Sequence, residues 1–393
     1  MKILLLCEYY CRLGGSEHYI LSVSEELEKL GHRIAVVYGE EMGGAPSMTG
    51  RNVYKLLEIM GPGGLAPGTS GRIHHILDLE KPDVIYAHNV PNSSVLAAFA
   101  SCAPIVRYVH DHRLFCPAGD KVLRGRNKAC DHPCGVDCLI QAYVGRCLPR
   151  NPFVTGPLIR AKLAEMEVSR GIPIAVASGY MRDCLVYNGF DAGRITVLPY
   201  FCPGGEESAE GDYLLFAGRI YWQKGLRLLL EAMNLIPGAR LKVAGVGPDL
   251  EPCKEYARAA GLEGKVEFLG LLSPADLRSA YASCLALAVP SIWPEPFGII
   301  GIEAMAAAKP VVAFDVGGVR EWLTDGENGY VVRPLDGRGF AACLGELVSS
   351  VRTRRSMGAR GREIWAARFT MDKHMESLLG LLGSSRGKNA HSH

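Results

Sequence analysis

The sequence predicts an α/β protein with two domains, each built around a doubly wound parallel sheet. Its 393 residues exceed what one ordinary hydrophobic core accommodates. In both halves of the chain, short apolar runs alternate with stretches of helical periodicity, which is the pattern of repeated strand–helix–strand units. The 46 glycines exceed the average of about 7% of a chain and suit the many tight turns that such units need.

The first predicted domain covers residues 1–198. It begins with a strand at residues 2–7, a helix from near Ser16 and a strand at residues 33–38. Because the links are short, these elements form a strand–helix–strand unit with a right-handed crossover. Further strands are predicted at residues 84–87, 105–109, 174–177 and 195–197.

An irregular insertion at about residues 116–157 is predicted to interrupt this domain, because the segment is rich in Cys, Arg, Gly and Pro. Two histidines, His112 and His132, are close enough in sequence to act as metal ligands. The gaps between the cysteines, however, exceed the two-residue spacing of zinc ribbons. A structural zinc, a disulfide and buried free thiols all remain open, and no metal is predicted. The clustered cysteines are Cys116, Cys130, Cys134, Cys138 and Cys147.

A linker at residues 199–212, rich in Pro, Gly, Glu and Ser, precedes the second predicted domain at residues 213–368. A helix at residues 369–383 is expected to cross back to the N-terminal domain, and residues 384–393 are expected to be a disordered tail. The strands of the second domain are predicted at residues 214–217, 240–244, 266–269, 285–289 and 311–314.

Composition narrows the class of protein. The 43 Lys and Arg nearly balance the 41 Asp and Glu, which argues against nucleic-acid binding through a basic surface. No apolar run is long enough for a membrane span or a signal peptide, and the 13 scattered cysteines favour a reducing compartment, so a cytoplasmic location is expected. Cations and apolar residues interleave at residues 146–162. They indicate a peripheral contact with an anionic membrane, at its inner face, or simply an amphipathic helix with a solvated face.

The most informative segment is the run at residues 290–306, which follows a predicted strand. Its prolines predict an irregular loop, and Gly298 opens an apolar helix whose first amide groups have no intrahelical partner. Such a helix start favours an anion, phosphate above all. Glu295 and Glu303 flank it, and carboxylates accept hydrogen bonds from hydroxyl groups such as those of a sugar or a ribose. The segment predicts a site for a phosphate-bearing carbohydrate.

Other strand ends carry further candidates. Arg219 and Lys224 follow the strand at residues 214–217, where two cations can neutralise a diphosphate. Gly247 lies in a turn after the next strand, although a turn alone is weak support for a site. His110 closes the strand at residues 105–109. The Gly14-Gly15 turn lacks the spacing of a dinucleotide fingerprint, so an NAD site is not supported.

Taken together, these residues resemble the group 1 glycosyltransferases, a retaining family with the GT-B fold of two Rossmann-like domains that face a central cleft. The resemblance covers nearly the whole chain. It implies that Glu303 binds the ribose, that Glu295 holds a hydroxyl of the donor sugar and positions its anomeric carbon, and that His110 lies beside that sugar. It also implies a set of contacts to the donor: Gly14, Gly15, Arg219, Lys224, Gly247, Phe297, Gly298, Ile299 and Ile300.

The resemblance implies transfer of a hexosyl group from a UDP- or GDP-linked sugar to a saccharide or lipid-linked hydroxyl acceptor, with retention and without a metal or other cofactor. Synthesis of a surface polysaccharide or glycoconjugate is the expected context. Two alternatives are a GT-B sugar epimerase or phosphorylase and, less favoured, a non-catalytic metal-binding scaffold organised by the cysteine cluster. The ending of the N-terminal domain, residues 198–201, departs from the family pattern.

Overall fold

The computed structural model describes residues 1–11, 14–41, 51–126, 128–205 and 211–386. The chain divides into two compact units. The first is built on Met1–Arg126, Cys130–Pro199 and Met375–His393, and the second on Asn127–Ala129 and Tyr200–His374. Part of the predicted linker, residues 206–210, and residues 387–393 of the predicted tail lie outside the described residues, whereas residues 384–386 are helical.

The first unit contains a seven-stranded sheet in the order β3-β2-β1-β4-β5-β8-β9, and its neighbouring strands pair in parallel. The central strands are buried on both faces, as expected where helices cover a parallel sheet on both sides. The strands of the first half of the chain are β1 (Lys2–Tyr9), β2 (Arg33–Glu40), β3 (Asn52–Lys55), β4 (Val84–Ala87), β5 (Ile105–Val109), β6 (Val122–Leu123), β7 (Lys128–Ala129), β8 (Ile174–Val176) and β9 (Ile195–Val197).

Local sequence explains where the helices of this unit begin. Asn92 accepts hydrogen bonds from the amides of Ser94 and Val95, and Ser178 accepts one from Met181, as N-cap residues do. The helices are α1 (Gly15–Lys29), α2 (Thr69–Glu80), α3 (Ser93–Ala100), α4 (Val136–Val144), α5 (Pro152–Arg170) and α6 (Gly179–Tyr187).

The cysteine-rich insertion is more regular than predicted. It contains the two-stranded sheet of β6 and β7, all of α4 and the first turn of α5. The prediction of an irregular segment was wrong because α4 turns its apolar residues to solvent, so that cysteine and glycine rather than a buried stripe dominate the local pattern.

The second unit contains a six-stranded sheet in the order β12-β11-β10-β13-β14-β15, and its neighbouring strands are also parallel. This is the order 3-2-1-4-5-6 of a doubly wound sheet, in which the chain changes direction between β10 and β13. The strands are β10 (Tyr213–Ala217), β11 (Arg240–Ala244), β12 (Val266–Gly270), β13 (Ala286–Val289), β14 (Val311–Phe314) and β15 (Gly329–Val332).

Helices of the second unit contribute their apolar faces to a core that they share with the sheet, and in α7 these residues are Leu226, Leu229, Leu230 and Met233. From Met375 onward the last helix belongs to the first unit, where Arg386 pairs with Asp83. These helices are α7 (Leu226–Met233), α8 (Leu250–Ala259), α9 (Pro274–Ser283), α10 (Ile299–Ala306), α11 (Gly337–Ser349), α12 (Val351–Arg368) and α13 (Met371–Arg386).

Two predominantly parallel sheets confirm the predicted fold class. Four strands of the described residues were missed. Two of them, β3 and β15, are four-residue edge strands with partly exposed side chains, and the other two, β6 and β7, are two-residue strands of the cysteine-rich insertion. Among the described residues, no helix combines the length and the apolar content that crossing a membrane requires.

Candidate functional site

An ion pair lies at the carboxyl ends of the two central strands of the second sheet. Lys224 follows β10, Glu295 follows β13, and Lys224 Nζ is 2.6 Å from Glu295 Oε1. The Glu295 side chain is 6% exposed and that of Lys224 is 24% exposed. In open parallel sheets, ligands bind where the strand order reverses, which is the position of this pair.

The loop after β10 holds Lys224 through backbone contacts. Lys224 ends a short 3₁₀ turn, and Gly225 follows with φ of 70°. A Cβ atom at Gly225 would stand 1.9 Å from the carbonyl oxygen of Pro290, so only glycine allows this approach. The Lys224 ammonium lies 4.5 Å from the centroid of the Trp293 ring, which adds a cation–π contact.

Glu295 is fixed from the opposite side by the loop after β14. Its carbonyl oxygen accepts a hydrogen bond from the Gly318 amide at 2.7 Å. Gly317 has φ of 55°, and a Cβ atom there would stand 2.2 Å from the Glu295 carbonyl oxygen. The two glycines therefore serve a close backbone contact that positions Glu295.

Helix α10 starts next to this pair. Its N-cap, Gly298, has φ of 89° and makes no side-chain capping bond. Within the described part of the chain, the amides of Gly298, Ile299 and Ile300 donate to no protein acceptor, and these three residues are partly exposed. Together with the positive end of the helix dipole, these amides make the start of α10 favourable for an anion, and the anion site itself stays a prediction.

The side chain of Phe297 does not lie where a contact with the donor was expected. Its side chain is 1% exposed and packs edge-on against Tyr200 and Phe369. Its carbonyl oxygen accepts a hydrogen bond from Trp322 Nε1 at 2.6 Å. The side chain of Phe297 is thus a core residue, and only its backbone borders the start of α10.

Glu303 lies one turn into α10 and does not join the Lys224–Glu295 pair. Its Oε2 accepts a hydrogen bond from the Tyr281 hydroxyl at 2.8 Å. Burial raises the pKa of the Glu303 carboxyl above its usual range, although the Tyr281 hydroxyl acts in the opposite direction. A half-buried carboxylate with one fixed donor is suited to accept a further hydrogen bond from a ligand hydroxyl.

Arg219 and Gly247 occupy neighbouring loops. The Arg219 side chain is exposed and has no ion-pair partner within the described ranges. A Cβ atom at Gly247 would stand 2.2 Å from the carbonyl oxygen of Ile220, and the Ile220 amide donates to the carbonyl oxygen of Val246 at 2.9 Å. Gly247 therefore allows the turn after β11 to lie against the loop that carries Arg219.

The remaining predicted residues belong to the first unit. Gly14 is the N-cap of α1, with φ of 106°, and Gly15 is the first helical residue. His110 follows β5 and is 4% exposed. Its Nε2 lies 3.0 Å from Nδ1 of His88, which follows β4, and the two rings are stacked. Burial, with contributions from His88 and Arg113, holds the pKa of His110 well below its usual range, so the ring is neutral.

The interaction between His110 and His88 was not predicted. The two residues stand at the ends of adjacent strands, but only the observed strand order brings them together. Arg113, two residues beyond Asp111, pairs with both Asp111 and Glu8, at 2.9 Å in each case. No chemical role was assigned to these residues from the sequence.

The five clustered cysteines line one cavity of about 20 Å³, together with His132 and the buried Lys121. All thirteen cysteines are free thiols. Across the described ranges, no three or more His, Cys, Asp or Glu side chains are arranged so as to hold a metal ion. A hydrogen bond from the Cys134 thiol lowers the pKa of Cys138 below its usual range, against the effect of burial.

Two family models match the chain. Glycosyltransferase Family 4 matches residues 13–136, and Glycosyl transferases group 1 matches residues 205–364. The second match contains the Lys224–Glu295 pair and the start of α10. The first contains Gly14, Gly15 and His110.

Similar proteins include an uncharacterized glycosyltransferase of Methanocaldococcus jannaschii, MJ1607, which is 39% identical over 31% of this chain and 32% of its own length. The lipopolysaccharide core biosynthesis glycosyltransferase LpsE of Rhizobium meliloti is 29% identical over 52% of this chain and 59% of its own. The chain thus spans less than two thirds of either relative. A phosphatidyl-myo-inositol mannosyltransferase of Mycolicibacterium smegmatis is 26% identical over 92% of this chain and 89% of its own length.

Solved structures show the fold. Alr3699/HepE of Anabaena in complex with UDP gives a TM-score of 0.71 at 18% identity and covers 98% of this chain and 100% of that one. A glycosyltransferase of Rickettsia africae gives 0.72 at 14% identity over 99% of both chains. With the two parallel sheets, these likenesses assign the GT-B fold to the chain.

Proposed function

Because the chain belongs to the group 1 glycosyltransferases, we propose that it transfers a hexosyl group from a nucleoside-diphosphate sugar to a hydroxyl acceptor with retention of configuration. The observation that carries this proposal is the Lys224–Glu295 ion pair at the reversal of the second sheet, beside the unpaired amides that start α10. This place thus offers cationic and amide donors to a diphosphate. It also offers a carboxylate that accepts hydrogen bonds from hydroxyl groups.

The diphosphate is assigned to Lys224, Arg219 and the α10 amides. Negative charge grows on this leaving group as the glycosidic bond breaks, so donors that are already in place lower the barrier. Lys224 and the neighbouring Glu295 are held by the glycine contacts at Gly225 and Gly317, which limits the reorganisation that the reaction requires.

The carboxylates are assigned to the hydroxyls of the donor. Glu303, oriented by Tyr281, accepts from the ribose, and Glu295 accepts from a sugar hydroxyl and thereby positions the anomeric carbon. We propose front-face attack, in which the departing phosphate oxygen takes the proton of the acceptor hydroxyl. This route needs no side-chain nucleophile, so the chain supplies orientation and charge stabilisation. Roles for Gly14, Gly15 and His110 on the donor are part of the same proposal.

Uridine is the favoured base, because Alr3699/HepE was solved with UDP and with UDP-glucose. The names of the relatives, which include a lipopolysaccharide core glycosyltransferase and a phosphatidyl-myo-inositol mannosyltransferase, support an acceptor in a surface glycoconjugate.

A thermal-shift panel of UDP, GDP and their sugars tests the donor, because a ligand that binds only the folded protein raises its stability. We expect one nucleotide series to raise the melting temperature. We also expect Glu303→Gln to weaken binding of that nucleotide by about tenfold or more, since the ribose hydroxyl then donates to a neutral amide oxygen instead of a charged carboxylate. Glu255→Gln, an exposed change on α8, is the matched control.

Transfer itself is tested by nucleotide release and by the anomeric configuration of the product in NMR. Release that requires an added hydroxyl acceptor supports transfer and excludes an epimerase. An inverted product contradicts the front-face mechanism, and the absence of any nucleotide-dependent stabilisation contradicts the proposed function as a whole.

A further inference from the structure

Helix α4, Val136–Val144, presents an apolar stripe to solvent. Its exposed side chains recur at the spacing of one helix face, and the opposite face carries the buried Gln141 and Ala142. A helix on the surface of a globular domain ordinarily buries such a stripe. Helix α4 instead turns its apolar face to solvent. The exposed fractions are 76% for Val136, 36% for Leu139, 53% for Ile140, 50% for Tyr143 and 48% for Val144.

The start of α5 continues this apolar character. Phe153 is 88% exposed, the highest value for any large apolar side chain in the described residues, and Val154 and Leu158 are 45% and 36% exposed. The described part of the chain has 22 exposed large apolar side chains, and nine of them lie between residues 136 and 163. Elsewhere exposed apolar residues are mostly scattered, which is normal, whereas a concentration of this kind marks an interaction site.

Exposed arginines flank the stripe in the sequence. Within residues 124–160, five arginines are exposed against one exposed aspartate, whereas the chain as a whole has a net charge of only +2. The turn that carries two of them is joined to the end of α4, because the Gly125 amide donates to the Gly145 carbonyl oxygen at 2.9 Å. The arginines are Arg124, which also pairs with Asp120, and Arg126, Arg146, Arg150 and Arg160.

We propose that this surface, the α4–α5 surface, docks on the anionic interface of a lipid bilayer. It consists of Val136, Leu139, Ile140, Tyr143, Val144, Phe153, Val154, Leu158 and the five arginines. An apolar stripe enters the acyl boundary while the guanidinium groups remain at the level of the lipid phosphates. The nine residues of α4 rise about 13 Å, far short of a bilayer of about 30 Å, so the helix lies in the interface and does not span it.

Charge favours a bilayer over a second copy of the chain. Packing two α4–α5 surfaces against each other would bring two sets of arginines together around an apolar centre, and juxtaposed like charges oppose association. Anionic headgroups neutralise the same arginines and leave the stripe in an apolar phase. The inference goes beyond the proposed transfer reaction, since it concerns lipid binding in the absence of donor and acceptor.

The test is flotation of the full chain with vesicles of phosphatidylcholine, with and without about one third phosphatidylglycerol. We expect binding only to the anionic vesicles and release at high salt, because exposed charges are screened. Arg146→Glu with Arg150→Glu should weaken binding at least about 25-fold, since each surface cation contributes about fivefold. Phe153→Asp should weaken it at least about tenfold.

Matched controls make the same chemical changes elsewhere. Arg352→Glu with Arg355→Glu reverses two exposed cations on α12, and Leu271→Asp changes a residue that is 80% exposed in the second unit. Neither control should alter flotation, and melting temperatures should show that every variant folds. The proposal is overturned if the wild-type chain does not bind anionic vesicles, or if the α4–α5 variants float as the controls do.

Sedimentation velocity tests whether a second copy of the chain, instead of a bilayer, covers the α4–α5 surface. A concentration-dependent dimer that Phe153→Asp abolishes, without vesicle binding, would assign the surface to self-association and overturn the bilayer proposal. Neither flotation nor sedimentation depends on turnover. A failure of the bilayer proposal therefore leaves the thermal-shift test of the donor valid, and a failure of the donor test leaves the flotation test valid.

Discussion

Replacing Lys224 by Met should lower both the stability of the protein and its affinity for the donor. Met preserves much of the side-chain contact with Trp293 but leaves Glu295, which is 6% exposed, without its cation. Breaking a fully buried pair costs about 3–5 kcal/mol. Because Lys224 is 24% exposed, water screens part of this cost, and we expect about 2 kcal/mol. For a unit of this size, that corresponds to a fall of roughly 4–8 °C in melting temperature.

The double variant Lys224→Met with Glu295→Gln separates the two effects. It removes the uncompensated charge, so we expect at least half of the lost stability to return. Donor turnover, followed as nucleotide release, should nevertheless stay down by at least about a hundredfold, because the diphosphate still lacks its cation. Lys254→Met, which breaks the exposed pair with Glu251 on α8, controls for loss of a surface lysine. The reasoning fails if Lys224→Met keeps its turnover within about threefold of wild type, or if turnover returns together with stability in the double variant.

Four further changes probe the same structure. Gly225→Ala should lower the melting temperature well beyond Gly238→Ala, because both glycines have φ near 70° but only Gly225 would clash with a backbone carbonyl. Arg219→Ala should reduce nucleotide affinity about tenfold with little change in melting temperature, since this cation has no ion-pair partner among the described residues. Alkylation of Cys138, mapped by mass spectrometry, should reach half its maximal rate at a pH below the value near 8.5 of ordinary thiols, because the Cys134 hydrogen bond lowers the pKa of Cys138. Burial holds the pKa of His112 at about 3, so the unfolded chain binds a proton that the folded chain does not. The free energy of unfolding should therefore fall by about 1.4 kcal/mol per pH unit below pH 6.5 for each histidine of this kind. His112→Asn should remove one such contribution from the slope of the unfolding free energy against pH, measured by urea titrations at a series of pH values.

Patterns within a single strand or turn were sufficient to predict much of the fold. The strands at residues 84–87, 105–109 and 240–244 have the predicted bounds, because each is an apolar run between polar turns. Lys224 and Glu295 were identifiable as candidates because each follows such a strand. Their pairing also depends on β10 and β13 being neighbours, which is a property of the sheet order.

Contacts between distant segments were beyond prediction from the sequence. The hydrogen bond from Tyr281 to Glu303 joins α9 to α10, and nothing in either segment indicates the other. The apolar stripe of α4 has the periodicity of a buried helix face, and the sequence alone does not say whether protein or solvent covers it. The burial of Phe297 was missed for a related reason, since its place in the loop before α10 gave no sign that its side chain enters the core.

The charges of the free protein determine how strongly the site attracts a diphosphate. Lys224 is already neutralised by Glu295 at 2.6 Å, so the pair alone offers little net attraction to an anion. The additional positive potential must come from Arg219, which has no ion-pair partner in the described residues, and from the start of α10, whose dipole is equivalent to roughly half a charge. In the proposed reaction Lys224 therefore has a structural role and a binding role, whereas Arg219 serves the ligand alone. Bound phosphate would share Lys224 with Glu295 and release one lone pair of this carboxylate for a sugar hydroxyl. In this arrangement the diphosphate and the sugar are recognised together, and a free sugar without its nucleotide should bind poorly.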